Sequence, residues 1–541
     1  MKELKFEELS LKQKLGMVMA GIVRPIRCED KYETFEENFE FVLELIRNHS
    51  LGAVWVPPDT ITGVAGMFPP HPDVLDRIRE AADYPILIFT DAESGFGEHT
   101  IGRHNPIGSA GREDLAYTFG KVTAISARKM GYNVVCDPVV DMVDSWVACG
   151  GNVRSLGSDK EKVSKLAIAM SKGLHDGGVL SVAKHYPSTG GAKVDGHMAP
   201  HASDVTTEQL IDYNLYPYTQ LIKEGLLDGI MAGHTSCPNI DPDYPTSVSK
   251  KIKSIIRELG FDGFFITDAL DMMGLKARFG DTKVKGLCVE SGIEFILPWF
   301  SAKKAYFDLC DCYDEGIITD ERLDEAVKTV LAAQHKILEM KPKFDDYTEE
   351  DIEMFNKINT DSVYARTDEG VEASISREGK HFFAMLVHND TDIADDGKVS
   401  VDTFTNGWWF PARIQKKIKE LFPNSCVRAI CQFPTPNQNM DVLQDSVDYD
   451  DVIFLTFAEA PAYAGSDHLT RRILALIDAL NISGKISTIV HFGNPYVLEE
   501  VPHIKRILMG GCSPDSTNAC LDVLAGNYPA KGVLTYDVKF Q

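Results

Sequence analysis

A chain of 541 residues exceeds what one hydrophobic core normally supports, so two or more domains are expected. Hydrophobic residues at 44% and charged residues at 25% form the ordinary globular mix, which excludes a disordered, collagenous or fibrous protein. With 55 basic against 80 acidic residues the net charge is -25, a balance that repels phosphate backbones and anionic lipid and argues against nucleic acid or a membrane surface as partner.

The opening MKELKFEELSLKQKLGMVMAG alternates charged with apolar residues and lacks the apolar core of a secretory signal. No later stretch approaches the ~18 uninterrupted apolar residues of a membrane span, so a cytoplasmic location is expected. From there short apolar runs recur: LGAVWVP, YPILIFTDAESG, MGYNVVCDP, GGVLSVAKHYP, LDGIMAGHT, FDGFFITDA and SGIEFILPW. Between them lie amphipathic stretches such as REDLAYTFGKVTAISARKM and DKEKVSKLAIAMSKGLHDG, with apolar residues near i, i+3, i+4 and i+7. Strand followed by helix, repeated along residues 1–340, predicts a (β/α)8 barrel whose function sits on the loops after the strands. Residues 341–378 lose hydrophobicity and gain charge, and read as a linker with one exposed helix. Beyond them HFFAMLVHND, CVRAICQFP, DVIFLTFAEA, ISTIVHFGNPYV and IKRILMGG alternate with helical patterns, predicting a smaller doubly wound α/β sandwich over 379–541.

In a barrel, the polar residues at successive strand ends converge on one mouth: Asp91, Asp137, Asp141, Arg154, Lys184, His185, His234 and Asp268. Gathering so many ionisable groups is costly unless they pair or hold a polar ligand, and a polyhydroxylated one would suit. Each has a plainer reading beside it. Asp268 could cap the helix that ALDMMGLKARFG would form, Lys184 and His185 could be structural pairs, and His197 and His201 could be solvated loop histidines. An aldolase-like barrel would instead use Lys184 as a Schiff base. The eleven cysteines are scattered and read as reduced thiols, and no metal cluster or phosphate-binding glycine loop appears, so no cofactor is expected.

Taken in order, LSLKQKLGMVM, FTDAESG, CDPVVDM, NVRSLGSDKEKV, AKHYP and LDGIMAGHTSCPNIDPDYPTSVSKKIKSIIRELGFDGFFITDALDMMGL resemble glycoside hydrolase family 3 over almost the whole chain. The resemblance implies an exo-acting retaining β-glycosidase acting on a carbohydrate, with Asp268 as nucleophile and Asp91, Arg154, Lys184 and His185 as sugar contacts. It implies the same two domains, and it leans toward a β-N-acetylhexosaminidase, with β-glucosidase, β-xylosidase or an impaired glycan binder as alternatives. The match breaks in KHYPSTGGAKVDGH, where Thr189 and Gly191 stand at the positions taken as the family's acid/base histidine and aspartate. Asp195 and His197 match a later D-x-H and are read as shaping the loop. Candidates for the missing proton donor are Glu459 first, then Asp467 and His197.

Overall fold

The computed structural model describes residues 1–25, 34–62, 69–143, 151–189, 194–387, 391–393, 399–401, 411–458 and 468–541, with backbone alone at 151–152, 391–393 and 399–401. The chain forms two compact units. The first holds residues 1–99, 116–142 and 163–352, and the second holds 100–115, 143–162 and 353–541.

In the first unit seven strands make one parallel sheet in chain order: β1 (Ala20–Ile22), β2 (Ala53–Trp55), β3 (Leu87–Asp91), β4 (Val134–Cys136), β5 (Leu180–Tyr186), β6 (Gly229–Ala232) and β7 (Phe264–Thr267). Apart from the tip of β3 at Asp91, every strand residue is buried, as expected for a parallel sheet covered on both faces. The sheet curls until its edges meet through one short segment: Phe295 bridges to Ile266 of β7, and Ile296 bridges to Met19 just before β1. Inside the curl Phe89, Phe264 and Phe295 pack edge to face with centroids 5.3–5.9 Å apart, and Trp55 stacks on Phe89 at 6.1 Å. A Cβ on Gly229 would stand 2.3 Å from the Phe264 ring, so β6 needs glycine there for β7 to place that ring. The outer helices bury the stripe that their spacing predicts. Phe35–Arg47, opened by a capping box between Thr34 and Glu37, buries Phe39, Val42, Leu43 and Ile46.

The second unit carries β8 (Tyr364–Thr367), β9 (His381–Val387), β10 (Cys426–Cys431), β11 (Asp451–Ala458), β12 (Ile486–Gly493) and β13 (Arg506–Gly510), ordered β8-β13-β12-β11-β9-β10. All neighbours are parallel except β8, which runs antiparallel to β13. Two separate clusters pack against the sheet, one with Ile414, Ile418 and Leu521, the other with Ile473, Leu476 and Ile477.

Two expectations about domain limits change. The first unit does not run unbroken to 340, because residues 100–115 and 143–162 belong to the second. Val533 N donates to Ser109 O (2.7 Å), Tyr536 Oη to Ser155 O (2.9 Å), Tyr496 Oη to Val143 O (3.0 Å) and Arg112 Nη1 to Asp361 Oδ2 (2.8 Å). Nor is 341–378 a linker with one exposed helix. The helix Glu349–Asp361 buries Phe355 and Ile358, and β8 completes the sheet. Arg154 therefore falls in the second unit, at the end of the short helix Gly151–Arg154.

At the start of the first unit's strands, the Asp228 carboxylate is almost wholly enclosed and accepts from Ser181 N (2.8 Å), His175 Nε2 (2.6 Å) and Lys336 Nζ. Burial pushes this carboxyl up, yet His175 and Lys336 more than offset it and hold it below its ordinary 3.8. Its stabilisation is thus present above pH 3.8 and is lost as pH falls through the lower folded value. Asp228→Ala should cost about 2 kcal/mol at neutral pH by leaving the buried Ser181 N–H without its acceptor and taking the carboxylate from His175 and half-exposed Lys336, and the gap to wild type should narrow only in strong acid. Denaturant melts of both proteins at neutral and acid pH check this, and a gap already closing at pH 6 would refute it.

Candidate active site

At the opposite end of the same strands β3, β4, β5, β6 and β7 deliver the polar groups. Lys184, nearly buried on β5, is ion-paired with Asp91 at the tip of β3 and with Glu93 Oε1 at 2.7 Å. Its amine is thus engaged by two carboxylates, unlike the lysine of a Schiff-base enzyme, which is activated in an apolar pocket or beside another cation. About half of the Asp91 side chain stays exposed, so it can still meet a hydroxyl.

Beside it on β5, His185 donates Nδ1 to Asp141 Oδ2 (2.8 Å), and Asp141 Oδ1 accepts the backbone N–H of Thr189 (2.8 Å). The Lys184–His185 and Tyr186–Pro187 peptide bonds are cis. Past β6, His234 is enclosed, with Nδ1 at 2.9 Å from Ser247 Oγ and Nε2 at 3.0 Å from the carbonyl of Ala269. A carbonyl can only accept, so Nε2 carries the proton and Nδ1 accepts from the serine. Burial lowers the His234 pKa, so near neutral pH it acts as a fixed dipole rather than as a cation.

Asp268 follows β7. Its N–H donates to Ala232 O (2.9 Å) and its Oδ1 accepts from Ala269 N (2.8 Å). The helix beyond it covers only Met273–Phe279 and is preceded by Met272, so Asp268 does not cap it. Burial pushes this carboxyl up, but the imidazoles of His185, His234 and His197 and the Ala269 N–H together outweigh burial and hold it below the ordinary carboxylate range. It is a carboxylate kept ionised while crowded, with part of its surface open.

The loop where the family match breaks carries its own imidazole–carboxylate pair. Asp195 is fully buried, and its Oδ1 accepts both His197 Nδ1 and His197 N at 2.8 Å. That turn, a side chain bonding the backbone two residues on, is what the D-x-H spacing encodes. The loop is tied to the segment that follows Asp268: Met273 N donates to His197 O (3.1 Å) and Gly274 N to Gly196 O (3.0 Å). A Cβ on Gly274 would lie 2.7 Å from Gly196 O, so glycine permits the approach.

His201 is not a solvated loop histidine. It is buried, Nε2 meets Thr235 Oγ1 at 2.8 Å, and burial lowers its pKa to about 4. Thr189 is partly buried and holds Asp141 through its backbone. Asp137 is also enclosed after β4. Glu459, Asp467 and Gly191 lie outside the described residues. Arg154 is not among the groups that the first unit brings together. Among the described residues no group of three His, Cys, Asp or Glu has the arrangement of a metal site, and no helix is long and apolar enough to cross a membrane.

The model of the glycosyl hydrolase family 3 N-terminal domain matches residues 11–333. A β-hexosaminidase of Idiomarina loihiensis is 30% identical over 237 residues, 42% of this chain and 70% of that one. One of Chromobacterium violaceum is 37% identical over 164 residues, 30% of this chain and 44% of its own. Among solved structures, a family 3 β-N-acetylglucosaminidase from a Paenibacillus species has a TM-score of 0.75 at 22% identity, covering 98% of this chain and 100% of that one. A β-glucosidase from Listeria innocua has a TM-score of 0.71 at 17% identity, covering 98% and 75%. These last two are likenesses of fold. With more than half of its length matched and the family's motifs standing at the ends of its parallel strands, the chain belongs to glycosyl hydrolase family 3 and is a glycoside hydrolase.

Proposed function

We propose that the protein is an exo-acting retaining β-glycosidase of the β-N-acetylhexosaminidase kind, with a TIM-like barrel as its catalytic domain. Asp268 is its nucleophile and His197, oriented by Asp195, its acid/base. The observation that carries this reading is the His197–Asp195 pair, hydrogen-bonded at 2.8 Å on a loop tied to the segment after Asp268. The names of the relatives support the sugar.

In the first step the Asp268 carboxylate attacks the anomeric carbon, and the glycosidic bond breaks with its electron pair on the leaving oxygen. His197 Nε2 delivers a proton to that oxygen, while Asp195 accepts from Nδ1–H and stabilises the ring through its change of charge. In the second step water attacks the glycosyl ester, His197 takes its proton, and Asp268 leaves as carboxylate. Asp91, paired through Lys184, and His185, held by Asp141, grip hydroxyls of the sugar being cleaved. Arg154 is proposed as a further sugar contact on the family resemblance alone. A homologue that merely binds glycans has no use for an ionised aspartate and an imidazole–carboxylate pair.

A 2-fluoro glycoside should add one sugar to Asp268, read by intact mass and peptide mapping, and Asp268→Ala should abolish turnover while the protein stays folded. Labelling of another residue would refute the assignment. His197→Ala should lower kcat/KM about 10²- to 10⁴-fold on disaccharides, the usual worth of a general acid, and far less on dinitrophenyl glycosides. Azide should then rescue the second step. Equal losses on both substrates would exclude His197 as the proton donor. Asp91→Asn should lower kcat/KM by about ten-fold to a hundred-fold with little change in Tm, as for a lost charge-assisted hydrogen bond of ~1.5–3 kcal/mol. A pure loss of stability would instead make Asp91 structural. Aryl β-glycosides of N-acetylglucosamine, glucose and xylose decide the sugar.

A further inference from the structure

Three imidazoles set the field at Asp268, and they differ in what stands at Nδ1. His185 has Asp141 at 2.8 Å and His197 has Asp195 at 2.8 Å, whereas His234 has the hydroxyl of Ser247 at 2.9 Å. A carboxylate at Nδ1 stabilises the charge that an imidazole gains when it takes a proton. A hydroxyl brings no such charge. It donates to the lone pair of the neutral ring, and protonating that nitrogen would force it to turn from donor to acceptor.

The serine is held in place from behind. Ser247 lies, wholly buried, in the short turn Thr246–Val248. Its carbonyl accepts from Lys253 Nζ (3.1 Å) and Ser291 Oγ (3.0 Å). Lys253 Nζ also donates to Thr246 O and to Ser291 Oγ, each at 2.9 Å. Thr246 in turn is tied through Oγ1 to the carbonyl of Thr235, the residue after His234 (2.8 Å). Burial pushes the Lys253 ammonium down to about 7, so a charge in this place is costly, and its donors go to this turn and to the serine that braces it.

On its far side His234 reaches the backbone at Asp268. Nε2–H donates to Ala269 O (3.0 Å), Ala269 N–H donates to Asp268 Oδ1 (2.8 Å), and Asp268 N–H donates to Ala232 O (2.9 Å), two residues before His234. Buried contacts thus run from Lys253 through Ser247 and His234 to Asp268. A cationic His234 would hold that carboxylate as an ion pair and blunt its attack, and would stand as a second proton source beside His197. Among the described residues, Asp268, His185, His197 and His201 are the titratable groups acting on the ring.

Resting on the β-glycosidase reading above, we propose that Ser247 is a positioning residue of the reaction. Through its hydroxyl it keeps His234 neutral and oriented, so that His234 steadies Asp268 as a dipole while the proton is carried by His197 alone. Lys253 and Ser291 hold the serine in that role.

The test uses the full chain and the rate at which a dinitrophenyl 2-fluoro glycoside labels Asp268, a step whose leaving group departs without a proton. Ser247→Ala should lower the maximal labelling rate about ten-fold while the half-saturating concentration stays within about two-fold, and Ser247→Thr, which keeps the hydroxyl, should regain all but about three-fold. Ser247→Asp gives His234 the kind of partner that the other two imidazoles have and should raise its pKa. Labelling should then be slowest in acid, where His234 is a cation paired with Asp268, and should recover as pH rises, more steeply than in wild type. A merely structural serine would lower Tm without adding that dependence. Ser247→Ala leaves only a small void, which keeps the test open if Ser247→Asp fails to fold. Labelling of Ser247→Ala at the wild-type rate, equal losses in the alanine and threonine variants, or a Ser247→Asp profile parallel to wild type overturns the positioning role and leaves the β-glycosidase reading standing. Wild-type protein that neither takes the label nor turns over an aryl glycoside of any of the three sugars overturns both.

Discussion

The site depends on one electrostatic constraint: ionisable groups crowded at the strand ends must each be given a partner. Lys184 has Asp91 and Glu93, His185 has Asp141, and His197 has Asp195. Such pairing offsets the desolvation that would otherwise neutralise these groups, and it fixes the direction in which each ring nitrogen points. Asp268 is the group left without a dedicated cation. Among the described residues its carboxylate is bonded only to the next backbone N–H and is surrounded by imidazoles, which hold its pKa below the ordinary range against burial. A direct ion pair would also have kept it charged, but would have occupied the oxygens that must reach a substrate.

The two ends of the first unit's sheet use buried charge for different purposes. At the strand starts, Asp228 and Glu294 are saturated by backbone N–H groups and by basic side chains: Glu294 takes Phe265 N and Arg322 Nη2, each at 2.7 Å. Both carboxylates there tie a strand start to its covering helices. At the strand ends the same kinds of residue are only partly consumed, since Asp91 and Asp268 retain exposed surface and the Asp271 Oδ1 has no partner. The candidate site lies where satisfaction is incomplete, in line with the division of parallel barrels into a stability face and a catalytic face.

Length, composition and the alternation of buried runs with amphipathic helices were enough to place the parallel strands, because a strand buried on both faces must be continuously apolar and its covering helix must show a 3.6-residue stripe. The residues ending those strands were legible for the same reason, and Asp91, Lys184, His185, His234 and Asp268 could be named from position alone. The D-x-H spacing of Asp195 and His197 was legible too, although it read as a loop feature. Asp195 is fully buried and the loop is pinned at Met273 and Gly274, and both facts depend on a segment some eighty residues away.

What the sequence by itself determined is therefore the periodic part: strands, covering helices, and the chemical types gathered at the strand ends. What only tertiary structure decided is which group meets which. That includes the pairing of each histidine with its own aspartate, the burial of His201 against Thr235, and the capture of residues 100–115 and 143–162 by the second unit. Hydrophobic periodicity is a local property that a short window of sequence carries, whereas hydrogen-bond partners and pKa shifts are set by distances of a few ångströms between residues far apart in the chain.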